Sequence, residues 1–289
     1  MSADDGDGFV YCERGHRHWG LHGAAGLLLT DPLRGVLLQH RAWWTHHGET
    51  WALPGGARRG AESAFQAATR EAEEEAAVPL SAVRPTAQSR VDHGGWTYTT
   101  VLATTRHPVR ERVVNEESAE LRWVPPDDVG SYPLHRDFAV AWPGLRAHLD
   151  RELVLVVDAA NVVGSRPDGW WRDRAGAAER LRDRLTGLAR AGVRSTDVGI
   201  GGEDWRWWPR VRMVVEGQAR DVGPAGEVEV VSAVRDGDAQ IVETVCKTRD
   251  TRPDDHVVVV TADRELRTRV ESAGARVMGP SALLDLVAD

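Results

Sequence analysis

Lysine is almost absent. Lys247 is the single lysine among 36 basic side chains, and the rest are arginine. With abundant Ala, Gly and Val, that bias is what a GC-rich genome encodes, and it carries no mechanism. Cysteine is scarce too: Cys12 and Cys246 fall on either side of the expected domain boundary. A disulfide framework is therefore excluded, and a reduced, cytoplasmic setting is expected. No apolar run approaches the ~18 residues that a membrane span needs. The N-terminal MSADDGDGF is acidic and has no basic segment, so no secretory leader is expected. Positive charge is not in excess. The net charge of −8 excludes a global pull toward nucleic acid, although local basic patches remain open. Tyr and Phe number 3 each, whereas Trp reaches 12.

What is there is ordinary in bulk. Hydrophobic residues make up 42% and charged residues 28%, which excludes a wholly disordered chain. At ~150 residues per domain, 289 residues predict two domains. Ten of the 11 histidines precede Asp150, and a new apolar run opens at Leu153. The turn at Trp142-Pro143-Gly144 precedes a short segment, Leu145 to Arg151. The boundary is placed near residue 150, giving domains 1–150 and 151–289.

In the first half, Gly26–Leu29 and Val36–Gln39 flank Asp31-Pro32-Leu33-Arg34-Gly35 and read as two strands around a turn. Trp51–Leu53, Trp96–Thr105 and Leu121–Val124 read as further strands, and Glu62–Ala77 as a helix. Strands outnumber helices, which predicts a mixed α+β sandwich. The second half alternates. Leu153–Val157, Val211–Val215, Val228–Val231, His256–Thr261 and Ala275–Met278 read as strands. Ala175–Arg190, Asp238–Thr248, Arg264–Ser272 and Ser281–Val287 read as helices. Such alternation predicts a parallel sheet flanked by helices.

The most informative stretch is GARRGAESAFQAATREAEEEAAV, Gly56 to Val78. Glu71, Glu74 and Glu75 are spaced i, i+3, i+4, which puts three carboxylates on one helical face, where like charges repel. Carboxylate oxygens suit Mg2+ or Mn2+, and a cation relieves that repulsion. Arg70 adjoins Glu71 and is placed to orient it. The Gly55-Gly56 turn lets backbone approach a metal or phosphate closely. A bare acidic run is usually just a solvated face, but the surrounding spacing points elsewhere.

The series Gly56, Glu62, Arg70, Glu71, Glu74, Glu75 resembles the Nudix box, G-x5-E-x7-R-E-U-x-E-E-x-G-U. The lead-in Trp51-Ala52-Leu53-Pro54-Gly55-Gly56 resembles that family as well. Two departures are Ala77 at the terminal glycine of the box and Ala72 at an apolar position. Ala77 is expected to alter slightly how the helix ends, because alanine does not readily take the left-handed conformation. The resemblance spans residues 20–148 and implies a Nudix α/β/α sandwich with a mixed sheet. It implies hydrolysis of a nucleoside diphosphate linked to another group, with Mg2+ or Mn2+ as cofactor. Glu71, Glu74, Glu75 and the Gly56 carbonyl are the implied metal ligands, Glu62 assists, and Arg70 holds Glu71. The general base varies in position within the family; Glu116 or Glu117 is an alternative to the box glutamates.

Substrate choice lies outside the box. Arg41, Trp43, Trp44, His46 and His47 follow the second strand and are suited to contact base or phosphate. Trp96 and Tyr98 are suited to stack on a purine. For each of these a purely structural role is at least as reasonable. His46, His47 and His93 are zinc-type ligands, yet no Cys/His spacing of a zinc site accompanies them. A nucleoside triphosphate, including an oxidised one, is the first expectation for substrate.

In the second half, Asp158 follows one strand, with Asn161 three residues on, and Asp263 follows another. Residues just past the C-terminal ends of parallel strands line the ligand crevice. Asp236 and Asp238 open a helix nearby in sequence. Each aspartate alone reads as a helix cap. Together, VVDAANVV, RDGDAQIVETV and VVTADRELRTRV resemble the PIN-like (NYN) family of ribonucleases, over residues 153–289. That resemblance implies a Rossmann-like parallel sheet. Asp158, Asp238 and Asp263 would be metal ligands, with Asn161 supporting and Asp236 competing for the Asp238 slot. Ala159 replaces the usual glycine after the first Asp. Gly169-Trp170-Trp171-Arg172-Asp173-Arg174 and Trp205-Arg206-Trp207-Trp208-Pro209-Arg210 combine stacking and phosphate-binding residues, as single-stranded RNA requires. The alternative is a packed interdomain or homodimer surface.

The leading expectation is a cytoplasmic Nudix nucleotide hydrolase joined to a PIN-like domain that cleaves or binds RNA. The alternatives are an RNA-processing ribonuclease with an accessory Nudix domain, and a non-catalytic nucleotide-sensing regulator.

Overall fold

The computed structural model describes residues 6–166 and 169–287. Met1 to Asp5, the start of the acidic N-terminal segment, lie outside the described residues. The chain divides into two compact units, Met1–Leu149 and Asp150–Asp289. No helix among the described residues is long and apolar enough to cross a membrane.

The first unit opens with a small hairpin, β1 (Phe9–Tyr11) and β2 (Arg17–Trp19). Its sheet is built on β3 (Ala24–Asp31) and β4 (Gly35–Arg41), with β5 (Trp51–Ala52) and β6 (Gly55–Ala57) as short additions. Helix α1 (Ala64–Ala76) follows, then β7 (Val83–Asp92), β8 (Thr97–Thr105), β9 (Ser118–Val124) and α2 (Arg136–Arg146). The sheet is mixed. β3 runs parallel to β8, in register from Ala24 opposite Tyr98, while β4, β6, β7 and β9 pair antiparallel with their neighbours.

Helix α1 covers one face of this sheet through its smallest residues. Ala67, Ala68, Ala72 and Ala76 are fully buried against Ala25, Leu27, Leu29, Val101 and Ala103. Alanine at these positions lets the helix lie close to β3, which brings its carboxylates to Gly55 and Gly56 of β6. The helix starts cleanly: Ser63 caps the Gln66 N–H while Gln66 caps the Ser63 N–H. At the other end Ala77 takes the left-handed conformation, φ 54°, and its N–H bonds back to Glu73 O. The helix thus ends as a glycine would end it, with Ala77 bearing the strain.

Three features differ from the sequence expectation. β7 has no apolar alternation to announce it, carries Pro85, and bulges between Pro85 and Ala87. Pro143 does not form a turn; it lies inside α2, whose apolar residues Phe138, Trp142 and Leu145 are buried. The β1–β2 hairpin is too short for its pattern to be read.

The second unit contains β10 (Leu153–Asp158), α3 (Ala159–Gly164), α4 (Arg174–Ala191), β11 (Val193–Arg194) and β12 (Trp205–Trp207). It continues with β13 (Arg210–Val215), β14 (Val228–Ser232), α5 (Gly237–Thr251), β15 (His256–Val260), α6 (Arg264–Ser272), β16 (Arg276–Met278) and α7 (Pro280–Leu286). Five of its strands form a parallel sheet ordered β14-β13-β10-β15-β16. Valines of β10 and β15 pack there against Ile241 and Val245 of α5 and Leu266 and Val270 of α6. The strand order reverses between β10 and β15, so the crevice at their C-terminal ends is the favoured ligand position of such a sheet. Ala159 is buried as the first residue of α3, so no left-handed glycine is needed after Asp158.

Candidate active site

Strand β6 and helix α1 bring the box residues together; Gly55 and Gly56, expected in a turn, lie in β6, where they pair with Gly26 and Ala25 of β3. Gly56 lies against Glu71: a Cβ at Gly56 would sit 2.6 Å from Glu71 Oε1. Gly55 is as tightly placed against backbone, where a Cβ would lie 2.5 Å from Ala25 O. The Gly55 N–H donates to Glu75 Oε2 at 2.9 Å.

Arg70 is the hub of the cluster. Its guanidinium grips Glu62 with two hydrogen bonds, Nε to Oε1 at 2.7 Å and one terminal nitrogen to Oε2 at 3.0 Å. It also donates to Glu71 Oε1 at 2.7 Å, Glu74 Oε2 at 3.1 Å and the Ala57 carbonyl at 2.9 Å. Such two-pronged, charge-assisted bonds fix geometry as well as charge. Glu62 is in turn held by the Arg59 N–H at 3.0 Å. The arginine grip keeps the Glu62 carboxyl below its ordinary range. The Glu62–Arg70 pair is therefore the frame on which Glu71 and Glu74 are set.

The three helix carboxylates differ in exposure. Glu74 is exposed, Glu71 half-buried, and Glu75 only 3% exposed. Burial pushes Glu71 up despite Arg70. Burial, reinforced by Glu71, pushes Glu75 up to about 7, against the Gly55 hydrogen bond. Among the described residues, these carboxylates do not form a group with all ligating oxygens within 4.8 Å. The Arg70 guanidinium bonds Glu71 and Glu74 and serves as their counterion. The donor set nevertheless fits a hard divalent cation. It offers oxygen ligands only, two of them desolvated and repelling each other, beside a glycine surface that any side chain would fill.

Other expected site residues are spread out. Arg41 ends β4, its Nε bonded to His46 O at 3.2 Å, and its charge opposes the raised pKa of both Glu75 and Tyr98. Tyr98 faces Gly26, where a Cβ would meet its hydroxyl at 2.3 Å, and burial raises its pKa to about 12. Trp43 and Trp44 are exposed on the loop after β4. His46 and His47 are exposed on the same loop, beside His135. Trp96 is not a stacking platform: it is 8% exposed, His18 covers its face at 4.0 Å, and its indole N–H bonds Gly20 O. Glu116 and Glu117 are exposed before β9, and the Glu117 backbone N–H bonds Asn115.

In the second unit, three of the four expected acids also have a local structural task. Asp158 caps the Asn161 N–H, Asp236 the Asp238 and Ala239 N–H groups, and Asp263 the Leu266 N–H. Asp158 Oδ2 accepts from Thr261 at 3.0 Å, and Asn161 Oδ1 accepts from the Ala262 N–H at 2.8 Å, tying β10 to the end of β15. Burial raises Asp158, with Glu216 and Asp263 adding to it; burial, then Asp158, Asp236 and Asp263, raises Asp238. Glu216, just past β13, also acts on Asp158 and was not singled out in the sequence; its position after a buried parallel strand was the available signal. Trp207 is not an RNA contact, for it is fully buried with its indole N–H on Ser195. Trp208 bonds Arg190 O, Trp171 is exposed, and Arg174 lies over the Trp170 ring at 5.2 Å.

Residues 20–145 match the NUDIX domain family model. The chain is 48% identical over 152 residues to a protein of Mycobacterium tuberculosis named putative 8-oxo-dGTP diphosphatase 3, covering 49% of this chain and 70% of that one. It is 42% identical over 153 residues to a nucleoside triphosphate pyrophosphatase/Nudix hydrolase fusion protein of Bifidobacterium longum, covering 50% of this chain and 32% of the other. Among solved structures it is similar to the Nudix hydrolase RenU of M. smegmatis, at 50% identity, 49% coverage of this chain, 93% of that chain and a TM-score of 0.45. The chain belongs to the Nudix family. Its first unit carries the hydrolase box of that family in full charge, with Ala77 and Ala72 as the departures.

Proposed function

We propose that the first unit hydrolyses nucleoside triphosphates, oxidised purine nucleotides included, to a nucleoside monophosphate and pyrophosphate. The observation that carries this reading is the Arg70 hub, which sets Glu62, Glu71 and Glu74 in one frame against Gly55 and Gly56 of β6. The name of the mycobacterial relative supports the substrate class. Glu71, Glu74, Glu75 and the Gly56 carbonyl would hold Mg2+ or Mn2+. When bound, the cation neutralises diphosphate oxygens and makes water more acidic. The chain's own residues do the rest. Arg70 orients Glu71 and Glu74. The Gly55 N–H and the buried wall fix Glu75 in place as an oxygen ligand. Arg41 provides positive charge for phosphate, and the exposed Trp43 and Trp44 offer faces for a base.

The test is a screen of the full chain with Mg2+ against nucleoside triphosphates, dinucleoside polyphosphates, ADP-ribose and nucleotide sugars. Turnover of triphosphates that is lost in Glu74→Gln supports the reading. Binding without turnover on every substrate would favour the sensing regulator instead.

For the second unit we infer a cation-dependent, PIN-like site that cleaves single-stranded RNA. Asp158 and Asp238 support it: both are raised by burial and by neighbouring acids, Glu216 and Asp263 acting on the first and Asp158, Asp236 and Asp263 on the second, and a divalent cation would relieve that repulsion. Mn2+-dependent cleavage of RNA by the full chain, lost in Asp263→Asn, is the expected result. Wild-type inactivity on several RNAs would overturn it.

A further inference from the structure

The β1–β2 hairpin and the β7–β8 turn carry four metal-type ligands that the box does not use. Cys12 follows β1, His16 precedes β2, His18 lies within it, and His93 sits in the turn after β7. One ligand atom from each lies within 4.8 Å of all the others. A tetrahedral zinc ion with one thiolate and three imidazoles places its donors about 3.3–3.6 Å apart, so side-chain adjustments of an ångström or so complete the site.

The backbone holds these residues in place without help from an ion. The Cys12 N–H bonds His16 O at 3.0 Å, and the Gly15 N–H bonds Cys12 O at 2.9 Å, closing the hairpin. The Glu13 N–H bonds Gly94 O at 2.9 Å, docking the hairpin on the β7–β8 turn, and the His93 N–H bonds Trp96 O. Gly94, at φ 78°, permits this approach, because a Cβ there would lie 2.6 Å from Glu13 Oε2. Trp96 stacks on His18, and its own indole N–H is anchored on Gly20 O.

Two ring nitrogens in the cluster lack any hydrogen-bond partner although buried: His18 Nε2 and His93 Nδ1. Buried polar atoms are rarely left so, because each costs about 1–3 kcal/mol, and a bound ion is one explanation of the exception. Cys12 is buried and unpaired by disulfide. The second histidine group, His46, His47 and His135, is more exposed, and His135 Nδ1 already accepts from the Asp137 N–H. It does not compete.

We propose that Cys12, His16, His18 and His93 form a closed, structural zinc site. It staples a hairpin of three-residue strands that is too small to be stable alone. Three of the four ligands precede the residues that match the family model. The site lies near the box, since Tyr98 packs in the same small cluster as Cys12 and Trp96 and its hydroxyl faces Gly26, the β3 partner of Gly55.

The test measures metal rather than turnover. The full chain is purified without added chelator, and its zinc is quantified. About one zinc per chain is expected. A strong chelator should remove it and lower Tm by several degrees, and zinc should restore both. Cobalt loaded in its place should show tetrahedral visible bands and a thiolate charge-transfer band. Cys12→Ser should lose that thiolate band. His16→Ala, at an exposed position where folding is not at risk, should lose zinc occupancy by tenfold or more. Glu74→Gln should keep it, which separates this site from the box. Metal-free wild type that does not take up zinc, or equal zinc in wild type and His16→Ala, would overturn the proposal.

Discussion

Gly56 and Glu71 are packed so closely that a single methyl group on the glycine would fall 2.6 Å from the glutamate's Oε1. The carboxylate therefore occupies the space of a side chain that β6 does not have at this position. Gly56→Ala should push Glu71 out of line with little damage to the fold, because the obstructing atoms are the end of a side chain. Metal-dependent turnover should drop by about 10- to 100-fold, as when an orienting neighbour of a metal ligand is lost, with Tm nearly unchanged.

Gly55 makes the opposite prediction. A Cβ there meets Ala25 O at 2.5 Å and Gly26 Cα at 2.6 Å, both backbone atoms that cannot step aside. Gly55→Ala should cost about 1–3 kcal/mol of stability, read by urea denaturation. Comparing the two alanine variants separates the task of each glycine.

Arg70→Lys removes the two-pronged grip on Glu62 while keeping the charge. Activity should fall by about 10- to 100-fold. Equal activity in the lysine variant would show that charge alone, and not the fork, sets the carboxylates.

Much of this was legible in the sequence. The box spacing announced the glutamates, Arg70 and Glu62, because a helix converts spacing directly into a shared face. The valine-rich runs announced β10 and β15, because buried parallel strands need no alternation. What could not be read depends on distant parts of the chain. The partners of His93 lie more than 70 residues away, at Cys12, His16 and His18, and only the docking of a hairpin on a turn brings them together. β7, written Val-Arg-Pro-Thr-Ala-Gln-Ser-Arg-Val-Asp, is defined by its neighbour β8 rather than by its own residues. Trp96 looked like a base platform because aromatic residues announce stacking but not what they stack upon; His18 already occupies that face.

Ala77 offers a gain. An alanine held at φ 54° bears a penalty that glycine does not. Ala77→Gly should stabilise the first unit by about 1 kcal/mol, raising Tm without changing turnover. A lower Tm would mean that the αL cap is not what costs stability there.

His135 gives the fold a pH response. Its Nδ1 accepts from the Asp137 N–H at the start of α2, and burial, with His47 next, pushes the imidazole down to about 4. The unfolded chain takes up that proton near pH 6.5 and the folded one does not. Stability should thus be complete above pH 6.5 and be lost as pH falls from there toward 4. His135→Asn, which retains a cap acceptor, should flatten that part of the Tm–pH curve. An unchanged slope would contradict it.

The most direct measurement is pyrophosphate release from 8-oxo-dGTP by the full chain as Mg2+ is titrated, compared across wild type, Glu71→Gln and Glu74→Gln. Wild type should release pyrophosphate only with metal, and each variant should lose at least about 100-fold, with folding intact. Release at wild-type rates by both variants, or none by wild type on any nucleoside triphosphate, would contradict it.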